Sequence, residues 1–141
     1  MIDEQQIKNL LNTHKIRPSH PRVEIMKYMM IHRNHPTVDT IYSNLVGTMP
    51  SLSRTTVYNT LKLFIEKGIT QLISIEENET RYDADVSLHA HFKCSNCGGI
   101  FDLPMASNIF PLPGMENFTV HEYHVYLKGI CGVCREAVIV H

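Results

Sequence analysis

The chain's four cysteines form two Cys-x2-Cys pairs, Cys94/Cys97 and Cys131/Cys134, separated by 33 residues and each beside glycine, at Gly98-Gly99 and Gly132. Two such knuckles can converge on a tetrahedral tetrathiolate site, the arrangement of a closed structural zinc. Iron of the rubredoxin type would accept the same four sulfurs, and two disulfides would also use them. Compartment bears on the choice. The sequence opens Met1-Ile2-Asp3-Glu4, with acids where a secretory signal needs a basic start, and no apolar run approaches the ~18 residues that span a bilayer. A cytoplasmic location without membrane contact is expected, and in that reducing setting zinc is the expected occupant. Few residues in this part of the chain are available for a core, so metal binding would supply much of its folding free energy.

A second ligand-rich stretch, His89-Ala90-His91, runs straight into Phe92-Lys93-Cys94. On an extended strand, residues i and i+2 share a face, so the two imidazoles point together. Asp102 falls on the following run, Ile100-Phe101-Asp102-Leu103, which the first cysteine knuckle folds back beside them. Asp83 lies just upstream and His35 far upstream. Three imidazoles and two carboxylates make a nitrogen and oxygen set suited to Fe2+, Mn2+, Co2+, Ni2+ or Zn2+, harder than the sulfur site. A His-x-His pair also occurs on solvated strands, and spacing alone does not bring His35 or Asp83 to it.

The elements that must carry these groups divide by charge. Through Leu72 there are nine Lys and Arg against five Asp and Glu; from Ile73 onward there are four against nine, which recovers the net charge of −1. The basic half reads as short helices. Ile7, Leu10 and Leu11 mark the first, over about 3–14, which Arg17-Pro18 follows. Ser19 caps a second, with Pro21 in its first turn and Val23, Met26 and Met30 on its apolar face. Val38, Ile41, Tyr42 and Leu45 line a third, ended by Gly47 and Pro50. Ser51 or Ser53 caps a fourth that reaches Lys67, burying Val57, Leu61, Phe64 and Ile65, with Gly68 as its stop. Two extended runs, 69–75 and 80–83, then flank the acidic turn Glu76-Glu77-Asn78-Glu79. This order is that of a winged helix-turn-helix. The fourth helix displays Arg54, Thr55, Tyr58, Asn59 and Lys62, side chains that suit phosphates and base edges; with Lys15, Arg17, Arg22 and Thr56 they are the expected DNA-binding set.

Taken in order, these residues resemble the ferric uptake regulator (Fur) family of dimeric bacterial metal-sensing repressors over nearly the whole chain. The matching pieces are Arg17-Pro18 with Arg22, His35-Pro36-Thr37 with Ile41-Tyr42, and Arg54-Thr55-Thr56-Val57-Tyr58-Asn59-Thr60-Leu61. They continue through Arg81-Tyr82-Asp83, His89-Ala90-His91-Phe92, Cys94-x2-Cys97-Gly98, Asp102 and Gly129-Ile130-Cys131-x2-Cys134. The resemblance implies an α+β chain: a winged-helix DNA-binding domain over 1–83 with a hinge at its end, and a small α/β dimerisation and metal-sensing domain over 84–141 holding zinc in the four cysteines. It implies a regulatory Fe2+ or Mn2+ held by His35, Asp83, His89, His91 and Asp102, which locks a homodimer onto a palindromic double-stranded operator. Asp102, Asp83 and Asn59 are most like the peroxide-sensing (PerR) branch, in which iron-driven oxidation falls on ligating histidines, here His35 and His89. The iron-sensing branch is the alternative within the family. Outside it, a zinc-ribbon hydrolase would need an open metal position and a general base, and no base is evident beside His89 and His91.

Two departures from the family pattern carry their own expectations. Where many members place a further ligand pair, this chain has Ala90 and Tyr123, so no third metal site is expected, although His121 and His124 lie close by. Prolines at 104, 111 and 113 make a long helix untenable where the family usually has one, and the dimer is expected to lean more on strand pairing.

Overall fold

The computed structural model describes residues 2–106 and 110–139, with side chains through 137. Two compact units divide the chain, Met1–Val86 and Ser87–His141.

The first unit is built on four helices: α1 (Glu4–Thr13), α2 (His20–His32), α3 (Val38–Leu45) and α4 (Arg54–Glu66). Each begins on a side-chain oxygen that accepts an otherwise unpaired backbone N–H. Asp3 and Gln6 form a reciprocal capping box on α1, Ser19 accepts from Arg22, Thr37 from Thr40, and Ser53 from Thr56. Such a cap stabilises a helix by about 1 kcal/mol. Ser53, not Ser51, starts α4. At its other end Gly68, at φ 78, lets Ile69 N–H reach back to Phe64 C=O at 3.0 Å. Glycine adopts that left-handed turn without steric cost.

Phe64, Leu61 and Val57 of α4 close the core against Ile7 and Leu11 of α1, Ile41 of α3, and Val23, Ile25, Met26 and Met29 of α2, all essentially fully buried. One expectation needs correction here. Met30 is only partly buried, and Ile25, Tyr28 and Met29 take its place. The reason is that α2 packs against α1, α3 and α4 at once, so apolar residues are needed around more than one face. Ile65 is likewise half-buried, while Thr60 faces inward. The extended runs after α4 shorten to three residues each, β1 (Gln71–Ile73) and β2 (Arg81–Asp83), antiparallel with Leu72 opposite Tyr82. They form the wing.

The second unit is a three-stranded sheet, β3 (His89–Cys94), β4 (Ile100–Pro104) and β5 (Val125–Gly129), with helix α5 (Gly132–Ile139). Its order is β4-β3-β5: β3 is central, antiparallel to β4 and parallel to β5. Residues 104–106 and 110–113 lie outside any helix, as the prolines require; 107–109 of that stretch fall outside the described residues. Phe101 and Leu103 of β4 and Leu127 of β5 are exposed, as are Phe118 and Val133.

Candidate metal centres and nucleic-acid face

The four cysteines come together. Their sulfurs all lie within 4.8 Å of one another, and Cys97 Sγ is 3.9 Å from Cys131 Sγ. A tetrahedral site with Zn–S bonds of about 2.3 Å sets its sulfurs about 3.8 Å apart, so the residues present fit that ion. Cys94 ends β3, and Gly98, at φ 76, turns the chain so that Gly98 N–H donates to Cys94 C=O at 3.0 Å. Cys134 lies in the first turn of α5, where the helix dipole favours a thiolate.

Backbone N–H groups aim at the sulfurs. Cys97 N–H donates to Cys94 Sγ at 3.4 Å, Cys131 N–H to the same sulfur at 3.3 Å, and Gly99 N–H to Cys97 Sγ at 3.4 Å. These donors, Cys97 first and Cys131 next, pull the Cys94 thiol down to about 6. At Cys134 a contact with Asn96 works in the lowering direction, but the Cys131 thiol, burial and the sulfurs of Cys94 and Cys97 outweigh it and push the group up to about 11. Like charges this close do not all ionise unaided, so taking up a cation must expel protons from the cluster.

The nitrogen and oxygen ligands form a pair in the first unit and a trio in the second. In the first, His35 Nε2 lies 3.6 Å from Asp83 Oδ2, both side chains buried. His35 sits just past the end of α2 at φ 50, a left-handed conformation that costs a non-glycine residue about 1–3 kcal/mol unless its surroundings hold it. Strand β2 supplies the hold: Tyr82 N–H donates to Pro36 C=O at 3.0 Å and Arg81 Nη1 to His35 C=O at 3.1 Å. Asp83 Oδ1 accepts from Asp85 N–H at 2.9 Å, which fixes the carboxylate's orientation.

In the second unit the β3/β4 register sets His91 opposite Asp102. His89 Nε2 lies 3.2 Å and His91 Nε2 3.4 Å from the same oxygen, Asp102 Oδ1, and the two rings meet edge to face with centroids 4.4 Å apart. His89 Nδ1 donates to Ser87 C=O at 2.8 Å, which in the neutral ring leaves the Nε2 lone pair on the Asp102 side. The imidazoles are buried and the carboxylate is 41% exposed, so the donors sit under a rim that solvent reaches. Sulfur is absent, and the donor types fit Fe2+ or Mn2+. Among the described residues, His124 pairs with Glu122 at 3.0 Å and lies near the Tyr126 hydroxyl.

Five of the expected DNA-binding residues line two surface grooves of the helical unit. Arg17, Arg22, Thr56 and Asn59 line a groove of about 730 Å3 between the α1–α2 connection and α4. Tyr58 lines another, of about 330 Å3, with the N-terminus of α3 and the wing turn. Thr55 and Lys62 are exposed on α4, and Lys15 is exposed at φ 60. Arg22 Nη1 donates to Arg17 C=O at 2.9 Å. Arg54 is held in place by Asp39, at 2.7 Å, and lies 4.3 Å above the Tyr42 ring. Sequence reasoning missed Asp39 and Tyr42 as partners of Arg54; opposite charges 15 residues apart carry no local signal.

A winged-helix unit followed by a strand-rich unit with a tetrathiolate cluster and a His/carboxylate set is the frame of a metal-responsive DNA-binding regulator. The chain belongs to the ferric uptake regulator family, whose profile matches residues 13–127. Members of the family are transcriptional regulators and not enzymes, which removes the hydrolase alternative. The chain is 32% identical over 144 residues to the peroxide operon regulator of Bacillus subtilis, covering 93% of this chain and 94% of that protein. The solved PerR structure from Streptococcus pyogenes is 28% identical, with a TM-score of 0.54, over 95% of this chain and 94% of that one. A zinc uptake regulator solved with zinc and DNA shares the fold at a TM-score of 0.73 and 18% identity, over 96% and 95% of the two chains.

Proposed function

We propose that the chain is a metal-dependent transcriptional repressor that responds to hydrogen peroxide through oxidation of its own histidine ligands. The observation that carries this reading is the β3/β4 register, which sets one aspartate oxygen against both His89 and His91 in a chain 32% identical to a peroxide operon regulator. Residues 1–83 read DNA; residues 84–141 dimerise and sense. Cys94, Cys97, Cys131 and Cys134 hold a permanent zinc, and His35, Asp83, His89, His91 and Asp102 take one exchangeable Fe2+ or Mn2+. Because His35 and Asp83 come from the reader and the others from the sensor, one ion ties domain orientation to occupancy. The exposed Phe101, Leu103 and Leu127 supply an apolar sheet face for a second copy, and a twofold dimer calls for a palindromic operator in the cytoplasm.

Fe2+ held by His35, Asp83, His89, His91 and Asp102 would supply the redox chemistry for cleaving the peroxide O–O bond, with one oxygen inserted at a ring C–H of a ligating imidazole and the other leaving as water. His35 and His89 are the rings that take it. Mass spectrometry of Fe2+-loaded protein exposed to peroxide should show an added oxygen on the peptide carrying His35 or His89, together with loss of operator binding. Unmodified histidines with binding retained would point instead to an iron sensor.

Lys and Arg displace counterions from phosphates, so operator binding should weaken steeply with salt. Arg22→Ala is expected to lower affinity about equally for all duplexes and to reduce the salt slope by about 1. Binding titrations from low to moderate salt measure both, and an unchanged slope would remove Arg22 from the phosphate-contact set.

A further inference from the structure

Strand β2 grips the His35 segment with two side chains that share one face of the strand, Arg81 and Asp83. Asp83 addresses the imidazole, while Arg81 Nη1 donates to the backbone carbonyl of the same residue at 3.1 Å. The rest of the guanidinium faces away from the ligand. Its Nε donates to Glu76, and its Nη2 donates to Glu79 at 3.1 Å, both on the turn of the wing. We propose that Arg81 is a positioning residue that links the regulatory ion to the wing, through an unbroken path from the His35 ring and carbonyl to the guanidinium and the wing turn. This inference rests on the ligand set proposed above.

The geometry favours coupling over simple stapling for two reasons. His35, at a left-handed φ of 50, is held from one strand at both ends, its imidazole by Asp83 and its carbonyl by Arg81, so ring and carbonyl share one support. A metal that fixes the ring also fixes the carbonyl that Arg81 reads, and with it the wing turn. Arginine suits this role because its planar fork offers donors on separate edges at a defined angle, which a lysine ammonium does not. The charge pattern adds to the effect. The turn carries Glu76, Glu77 and Glu79, which would oppose phosphates, and Arg81 pairs with two of these three.

The test measures a ratio. A fluorescent duplex selected by Mn2+-loaded wild-type protein is titrated with protein in Mn2+ and in chelator, and Mn2+ affinity is measured with and without duplex. The coupling factor for wild type should fall in the usual range of roughly 5–150-fold, and by linkage the two measurements must give the same factor. Arg81→Gln should lower that factor severalfold while the part that comes from domain orientation remains, with Arg81→Lys between the two. Glu76→Gln should lower the coupling while leaving Mn2+ affinity without DNA close to that of wild type. A uniform loss of DNA affinity, or a lower melting temperature, leaves the ratio unchanged and marks a structural role. An unchanged ratio in folded Arg81→Gln would therefore overturn the proposal; if that variant does not fold, an unchanged ratio in Glu76→Gln would do so. A wild-type factor of unity would overturn the metal-dependent repressor reading itself, and this inference with it.

Discussion

Cys94→Ser is expected to abolish the tightly held zinc and to unfold the unit from Ser87 onward, while the helical unit keeps its cooperative transition. Cys94 is the buried sulfur on which two backbone donors converge, and it ends the central strand of the sheet. Replacing its thiolate removes one of four ligands from a site whose closed form needs all four. Structural zinc contributes roughly 10–16 kcal/mol of apparent free energy in zinc-finger peptides, and a small sheet with an exposed apolar face has little else to offset its loss. Zinc content after dialysis against a chelator, together with heat-induced unfolding, measures the effect. A variant with wild-type zinc and two intact transitions would sink the idea.

Acid should act on the wild type in the same direction. The folded Cys94 thiol lies at about 6, below the ordinary thiol value of 9.0. Its contribution is therefore complete above the ordinary value and is lost as pH falls through about 6. Zinc uptake by the metal-free cluster should weaken as pH falls through that value, because protons then compete with the ion for the thiolates.

Asp102→Ala carries the second large effect. One oxygen of this carboxylate faces both His89 and His91, so its removal strips charge and geometry from two imidazoles at once. Loss of a partner outside the coordination shell typically costs 10–100-fold in metal affinity, so loss of a ligand should cost at least about 100-fold. The tetrathiolate zinc should be retained, because Asp102 is on β4 and no cysteine depends on it. The expected pattern is one zinc per chain, no exchangeable Mn2+, and DNA binding that no longer responds to Mn2+. Mn2+ titration and duplex binding in parallel decide it; near-normal Mn2+ affinity would exclude Asp102 as a ligand.

The helices were legible because local signals agreed: Ser19, Thr37 and Ser53 cap where hydrophobic periodicity begins, and Gly68 ends α4. The same periodicity failed on α2. There, contact with three helices spread burial around the cylinder and replaced Met30 with Met29, Tyr28 and Ile25. The gathering of the second unit's candidate ligands was legible for a different reason. A Cys-x2-Cys knuckle reverses the chain in a fixed number of residues, which brings β4 back along β3 and Asp102 to His91. Partnerships set by tertiary approach left no trace in the sequence. Arg54 with Asp39 and Tyr42, and Arg81 with the carbonyl of His35, depend on where whole elements dock and not on any repeat within them.

One strand carries both classes of candidate ligand in the second unit. β3 begins at His89 and ends at Cys94, a span of about 17 Å at strand rise, with hydrogen-bonded neighbours on both sides. On the proposed assignment, the backbone would act as a ruler between a permanent ion and an exchangeable one. A zinc that holds the Cys94 end would give metal exchange at the histidine end a fixed reference. A sensor built in this way would lose and regain its ion without losing its zero.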